Sequence, residues 1–212
     1  MGFDYNNVKD RKLYTILSPL GFAASHVIYD YKVVGQENIP KDKPFILISN
    51  HAHVLDPVLL MFNAHRPIHF MSKKEAFEQN ALLSWFLSNV NTFPVARGRN
   101  DKSAIEYAAK LIETGHVIGV FPEGTRSKDL KPHEPKAGAA LIARQTKADI
   151  LPACVYTETL KGFRRKITIR FGKLIPYEEL GLTDESSTPE LREAAKRMMD
   201  SVVALWEEGH CE

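Results

Sequence analysis

The sequence predicts an α/β fold: a central, mostly parallel or mixed sheet flanked by helices, with a short N-terminal helical arm. Two observations carry this expectation. Short apolar runs bounded by turn residues alternate with longer helix-period segments along most of the chain. Some of those runs, above all Phe45-Ile46-Leu47-Ile48, are apolar without alternation, as a strand buried on both faces requires. The one shift in composition falls near residue 30, which divides the chain into an arm over residues 1–30 and an α/β domain over residues 31–212.

The arm is read from Leu13 to Tyr29, moderately apolar, interrupted by Pro19 and Gly21, and preceded by Lys9, Arg11 and Lys12. It fits either a helix packed on the core or an interfacial segment with its basic residues near lipid headgroups. Tyr31 to Val34 is then a short strand closed by Gly35, and Pro40 to Pro44 a polar turn. After the strand at 45–48, Asp56 and Pro57 predict the N-cap and first turn of a helix reaching Ala64. Ile68 to Met71 is a strand, Glu75 to Val90 a helix with a broad apolar stripe, and Thr92 to Val95 a strand. Asp101 to Glu113 places Ile105, Ala108, Ala109 and Ile112 on one helical side, and Gly115 ends that helix. Strands follow at 117–121, 150–156 and 166–171, with helices at 137–146 and 189–207.

Composition excludes several classes. At 212 residues, with 44% hydrophobic and 25% charged, the chain is too apolar for disorder and too varied for a coiled coil. Its 28 basic and 26 acidic residues leave a net charge of +2, so bulk charge gives no argument for nucleic acid. Cys154 and Cys211 are far apart, which excludes a disulfide scaffold and fits a reducing compartment. No apolar stretch reaches the length of a membrane-spanning helix, and the first residues lack the layout of a signal peptide.

The candidate chemistry gathers after strands. The strand ending at Ile48 runs into Ser49-Asn50-His51-Ala52-His53-Val54-Leu55-Asp56. Loops after strand C-termini are where α/β sheets collect ligands. His51 and Asp56, five apart across a strand-to-helix turn, can meet, with Asp56 fixing the tautomer and the other imidazole nitrogen taking a proton from a hydroxyl. The plain alternative makes Asp56 an N-cap and His51 a loop residue. A third reading is a zinc-dependent hydrolase built on His51, His53 and Asp56, with His65 and His69 nearby; no downstream His, Cys and Asp cluster completes it.

Three more strand ends carry polar residues. Phe121-Pro122-Glu123-Gly124-Thr125-Arg126-Ser127 combines a glycine that admits an anion, two hydroxyls and a guanidinium matched to phosphate oxygens. Glu123 would repel phosphate, so its expected part is to pair with a basic side chain and hold the loop. Arg97 follows the strand at 92–95, and Lys73 and Lys74 follow the strand at 68–71.

On Asn50-His51 with Asp56, the 93–97 segment, the 121–127 run, Lys136-x-Gly138 and Leu151-Pro152, the sequence resembles the 1-acylglycerol-3-phosphate acyltransferases over roughly residues 31–180. The resemblance implies acyl transfer without a covalent acyl-enzyme, in phospholipid biosynthesis. His51 is the base and Asp56 its orienter. The set at the acceptor phosphate is Lys74, Arg97, Glu123, Gly124, Thr125 and Arg126. The implied partners are a lysophospholipid acceptor, an acyl-CoA or acyl-carrier protein donor, and an anionic membrane surface reached from the cytoplasmic face, with the arm as the peripheral contact. No metal or other cofactor is implied, and no nucleic acid. An inactive lipid-binding scaffold is the remaining class; intact His51, Asp56 and Arg126 argue against it. The chain departs from the family pattern at His53, where Ser is frequent, at Asn91, where Gly is usual, and at Ala96, where Asp is common.

Residues 161–173 carry six basic residues and no acid. They are read first as a solvated edge hairpin whose charges block aggregation, second as a surface for anionic headgroups or an acidic carrier, and third as a single-strand nucleic-acid binder. Cys154 is expected in the core, whereas Trp85 and Phe86 fit either core or membrane.

Overall fold

The computed structural model describes residues 3–8, 12–96 and 101–211. Among these residues seven strands form one sheet: β1 (Tyr29–Val34), β2 (Ile46–Ser49), β3 (Ile68–Lys73), β4 (Thr92–Val95), β5 (Val117–Val120), β6 (Ile150–Tyr156) and β7 (Arg165–Phe171). Their order is β1-β7-β6-β2-β5-β3-β4, and only the β6–β7 pair is antiparallel. The sheet is therefore mostly parallel, as the alternation of elements predicts, and mixed only where β6 and β7 follow each other with no helix between. The C-terminal ends of β2, β3, β4, β5 and β6 and the N-terminal ends of β1 and β7 all lie at one end of it.

Two apolar layers cover the faces, and β2 shows how one strand serves both. Ile46 and Ile48 join the layer formed with α5 (Lys102–Glu113), α6 (Gly138–Thr146) and α7 (Thr188–Glu207), while Phe45 and Leu47 join the layer with α2 (Asp56–Ala64). A two-sided strand has no polar face to alternate, which explains the continuous run. The boundaries of α7 follow from a capping box, with Ser187 N–H donating to Glu190 Oε2 at 2.6 Å. Cys154 is fully buried in β6, where burial pushes its thiol well up.

The arm is helical as expected: α1 runs Lys12–Ile28 and holds Pro19. It packs closely on α2, since a Cβ at Gly21 would meet the Phe62 ring at 2.2 Å. Upstream, Phe3 and Tyr5 stack edge-on with Tyr107 of α5, and Tyr5 hydroxyl donates to Pro94 O at 3.1 Å. Residues 3–8 thus pack against the same layer as α5.

Three expectations are corrected. The helix expected from Glu75 to Val90 is two helices, α3 (Lys74–Glu78) and α4 (Ala81–Asn89). Asn80 has extended backbone and its side chain accepts from Leu83 N–H, so it starts a new helix. The N-cap of α2 is Leu55; Asp56 is the first helical residue and turns its carboxylate back into the preceding loop. The basic hairpin is no sheet edge, because β7 lies between β1 and β6 with residues 167–171 buried. Arg170 of that run is itself buried and pairs with Glu208 at 2.9 Å.

Candidate active site

The site lies at the sheet end where the five strand C-termini meet, and it is built from β2 outward. The buried Asn50 side chain copies a strand ladder: it donates to Val155 O at 3.0 Å and accepts from Val155 N–H at 2.9 Å. That clamp fixes the chain as it leaves the sheet, so the next residue has a defined direction. His51 is then gripped through its own backbone. Its N–H donates to Glu123 Oε1 at 2.9 Å, and its carbonyl accepts from Ser127 N–H at 2.7 Å. The two motifs separated by seventy residues in sequence are thereby joined at the histidine.

Asp56 Oδ2 receives three donors: His51 Nδ1 at 3.0 Å, Ala52 N–H at 2.8 Å and His53 N–H at 2.7 Å. With two backbone N–H groups donating to it, this buried oxygen is committed as an acceptor. The chemistry then assigns the proton to His51 Nδ1 and leaves Nε2 a free lone pair. The ring is also held from its face. His51 stacks on Phe121 at 4.1 Å and 18°, and Phe121 stacks on Phe70 at 5.5 Å and 15°. The Phe70 ring of β3 packs over Gly119 of the neighbouring β5, where a Cβ would meet it at 2.3 Å.

Among the described residues Glu123 pairs with no basic side chain, contrary to expectation. Its second oxygen accepts from His133 N–H at 3.3 Å, so it spans two backbone amides inside the fold. Burial pushes its carboxyl up to about 7, against the pull of those two hydrogen bonds. His53 does not meet a metal-ligand set. Its Nδ1 accepts from Leu55 N–H at 3.3 Å, and burial followed by the Arg165 charge holds its pKa below the ordinary value. Among the described residues no three His, Cys, Asp or Glu side chains gather to hold a metal ion. His65 faces Gln36 instead, and His69 packs edge-on against His116.

His51 opens on a cavity of about 570 Å³. Its basic members are Lys73, Arg126 and Lys136, joined by Gly124 and Thr125; its apolar wall includes Phe70, Met71, Leu83, Leu87 and Val95. Gly124 is left-handed at φ 70°, and a Cβ there would come within 3.1 Å of Lys136 Nζ, so the glycine admits both the turn and the lysine. Lys74, by contrast, is not among the lining residues and pairs with Glu78 at 3.6 Å, while Lys73 faces the cavity. Arg97 lies outside the described residues. Lys136 was legible as part of Lys-x-Gly but not as a cavity residue; Phe121 and Asn50 carried no signal for stacking or clamping beyond their place in the motifs. Asn91 adopts φ 55°, the left-handed conformation that explains a usual glycine there and that Asn tolerates. Ala96 lines the cavity and its N–H donates to Asp101 Oδ2 at 2.8 Å.

A histidine, a buried carboxylate behind it, and a crevice with basic and apolar walls form an arrangement chemically able to take a proton from a hydroxyl. The family model described as Acyltransferase matches residues 30–156. The chain belongs to that acyltransferase family. It is 37% identical over 123 residues to the 1-acyl-sn-glycerol-3-phosphate acyltransferase of Bacillus subtilis, covering 58% of this chain and 60% of that protein. It is 32% identical over 195 residues to the Streptococcus pneumoniae protein of the same name, covering 83% and 69%. The match thus spans somewhat under two thirds of the Bacillus relative and somewhat over two thirds of the Streptococcus one. The crystal structure of the 1-acyl-sn-glycerophosphate acyltransferase PlsC from Thermotoga maritima superposes with a TM-score of 0.70 at 24% identity, covering 94% of this chain and 82% of that one, which shows the shared fold.

Proposed function

We propose that this chain transfers a fatty acyl group from an acyl thioester, acyl-CoA or acyl-carrier protein, to the free hydroxyl of 1-acylglycerol 3-phosphate, giving phosphatidic acid. The observation that carries the reading is the His51–Asp56 pair at the mouth of a cavity with one basic and one apolar wall. Nε2 of His51 removes the hydroxyl proton as the oxygen attacks the thioester carbonyl. The tetrahedral intermediate then collapses, the carbon–sulfur bond breaks, and the thiolate leaves with the proton from the imidazolium. Asp56 holds the imidazole and stabilises its charged form during the transfer. Arg126, Lys136 and Lys73, with Arg97, hold the acceptor phosphate and so position the hydroxyl. The apolar wall accepts acyl methylenes.

The substrate tail lies in a bilayer, so the protein meets it as a peripheral protein on the cytoplasmic face. No described helix is long and apolar enough to cross a membrane. Support comes from apolar side chains that face solvent. Ile16, Leu20 and Val27 share one side of α1, and Leu82, Trp85 and Phe86 share one side of α4, with Leu82 76% exposed. The experiment is an acceptor panel with labelled acyl donor of both kinds, run on wild type and His51→Ala. Transfer confined to phosphate-bearing lysolipids, and abolished by the substitution in folded protein, is the expected result. Equal use of acceptors without phosphate, or near-normal turnover by His51→Ala, would overturn it.

A further inference from the structure

The turn between β6 and β7 presents a feature the catalytic cavity does not use. Phe163 is 76% exposed, and Leu160, Lys161 and Arg164 around it also face solvent. The turn that carries it is held by hydrogen bonds. Thr157 hydroxyl hydrogen-bonds Thr159 O at 2.9 Å and Lys166 O at 3.0 Å. Lys161 N–H donates to Thr159 Oγ1 at 3.0 Å, and Arg165 donates to Leu160 O at 2.8 Å. Gly162 at φ 95° and Arg164 at φ 51° put left-handed residues on both sides of Phe163. A Cβ at Gly162 would meet nothing, so the glycine serves the backbone turn itself. The non-glycine Arg164 is held in this conformation by its own hydrogen bonds to α1.

The turn is also fastened to the arm. Arg164 N–H donates to Ile28 O at 3.0 Å and its guanidinium to His26 O at 3.4 Å, satisfying carbonyls of the last turn of α1. The exposed Ile28 therefore sits beside Arg164, the residue that follows Phe163. Because β6 runs parallel to β2 and β7 returns antiparallel, this turn lies at the same sheet end as the catalytic loop. The charge of Arg165, at the foot of the turn, is felt by His53, two residues from the catalytic base.

We infer that the β6–β7 turn is a second bilayer contact: Phe163 enters the headgroup region and Lys161 and Arg164 meet lipid phosphates, seating the cavity mouth at the depth of the acceptor hydroxyl. An aromatic ring flanked by cations matches an anionic interface in both its apolar and its charged part. Apolar side chains of α1 continue the same surface. This rests on the reading that the acceptor is a membrane lipid, and it names the part of the molecule that orients the site on that membrane. An acidic carrier protein would suit the cations, but it leaves the exposed phenyl and the continuity with α1 unexplained.

The test is sedimentation of the full chain with vesicles of phosphatidylcholine, with and without phosphatidylglycerol. The variants are Phe163→Ser, Lys161→Gln and the pair together; neither side chain contacts the catalytic residues. Lys161→Gln should weaken binding to anionic vesicles about fivefold, and leave binding to neutral ones unchanged. Phe163→Ser should weaken both on the order of tenfold. All three variants should keep wild-type transfer to a water-soluble short-chain acceptor, which shows that the fold and site are intact. Wild-type vesicle binding by the double variant would overturn the inference. So would unchanged vesicle binding combined with lost association with acyl-carrier protein, which assigns the turn to the carrier. Turn-dependent vesicle binding by a protein that transfers no acyl group would uphold the bilayer contact while refuting the proposed function.

Discussion

Replacing Glu123 by Gln should change how stability depends on pH, and the structure fixes both sign and size. The side chain is buried, and its two oxygens accept from the N–H groups of His51 and His133. Burial, opposed by those bonds and assisted by the Asp56 charge, raises its carboxyl from 4.5 to about 7. A raised carboxyl pKa means that the folded protein binds the proton more tightly than the unfolded chain. The contribution of Glu123 to stability is therefore fully present below about pH 4.5, declines as pH rises, and is lost above about pH 7. The interval corresponds to at most about 3 kcal/mol, reduced by whatever solvent at the cavity mouth screens. Gln has no proton to lose, so its hydrogen-bonding loss of roughly 1–3 kcal/mol is the same at every pH. Urea unfolding of wild type and Glu123→Gln at about pH 4.5 and about pH 8 isolates the term as a difference of differences. Wild type should lose roughly 2–3 kcal/mol relative to the variant across that range. Parallel pH profiles for the two proteins would refute the argument, by showing that Glu123 binds its proton equally in the folded and unfolded states.

Four further outcomes follow from the site. Asp56→Asn should lower kcat about 10²–10⁴-fold in a protein that still melts cooperatively, because the tautomer of His51 is no longer fixed; steady-state kinetics with a thermal melt checks this. Arg126→Ala and Lys136→Ala should each raise KM for a phosphate-bearing acceptor by about 10–100-fold, with kcat changed less. Gly119→Ala should cost roughly 1–3 kcal/mol and depress kcat, since the new Cβ displaces Phe70 and, through Phe121, the stacked histidine. Activity should be the same with and without a chelator, and a chelator-dependent loss would restore the zinc reading.

The sequence by itself determined the fold class and the centre of the site. Strand-length apolar runs alternating with helical periods imply a layered α/β sheet, because each face must be buried by something. His51 and Asp56 were legible because a short turn between strand and helix brings residues five apart together whatever the rest of the fold does. The same locality made Gly124, Thr125 and Arg126 legible as one loop. What the tertiary structure alone decided depends on contacts between distant segments. Glu123 reads as a charge awaiting a basic partner, yet β2 and β5 are neighbours, so it meets the His51 amide seventy-two residues away. Lys73 and Lys74 are indistinguishable as letters; the start of α3 turns one to the cavity and the other to Glu78. The stripe on α4 leaves Trp85 and Phe86 open between core and membrane by its letters; packing turns Leu82, Trp85 and Phe86 to solvent and Leu83 and Leu87 to the cavity. The basic hairpin reads as an edge, and only strand order shows that β1 closes it. Periodicity records that a residue has an apolar neighbourhood; which neighbourhood, whether core, cavity or lipid, is set by packing between elements that the local pattern does not contain.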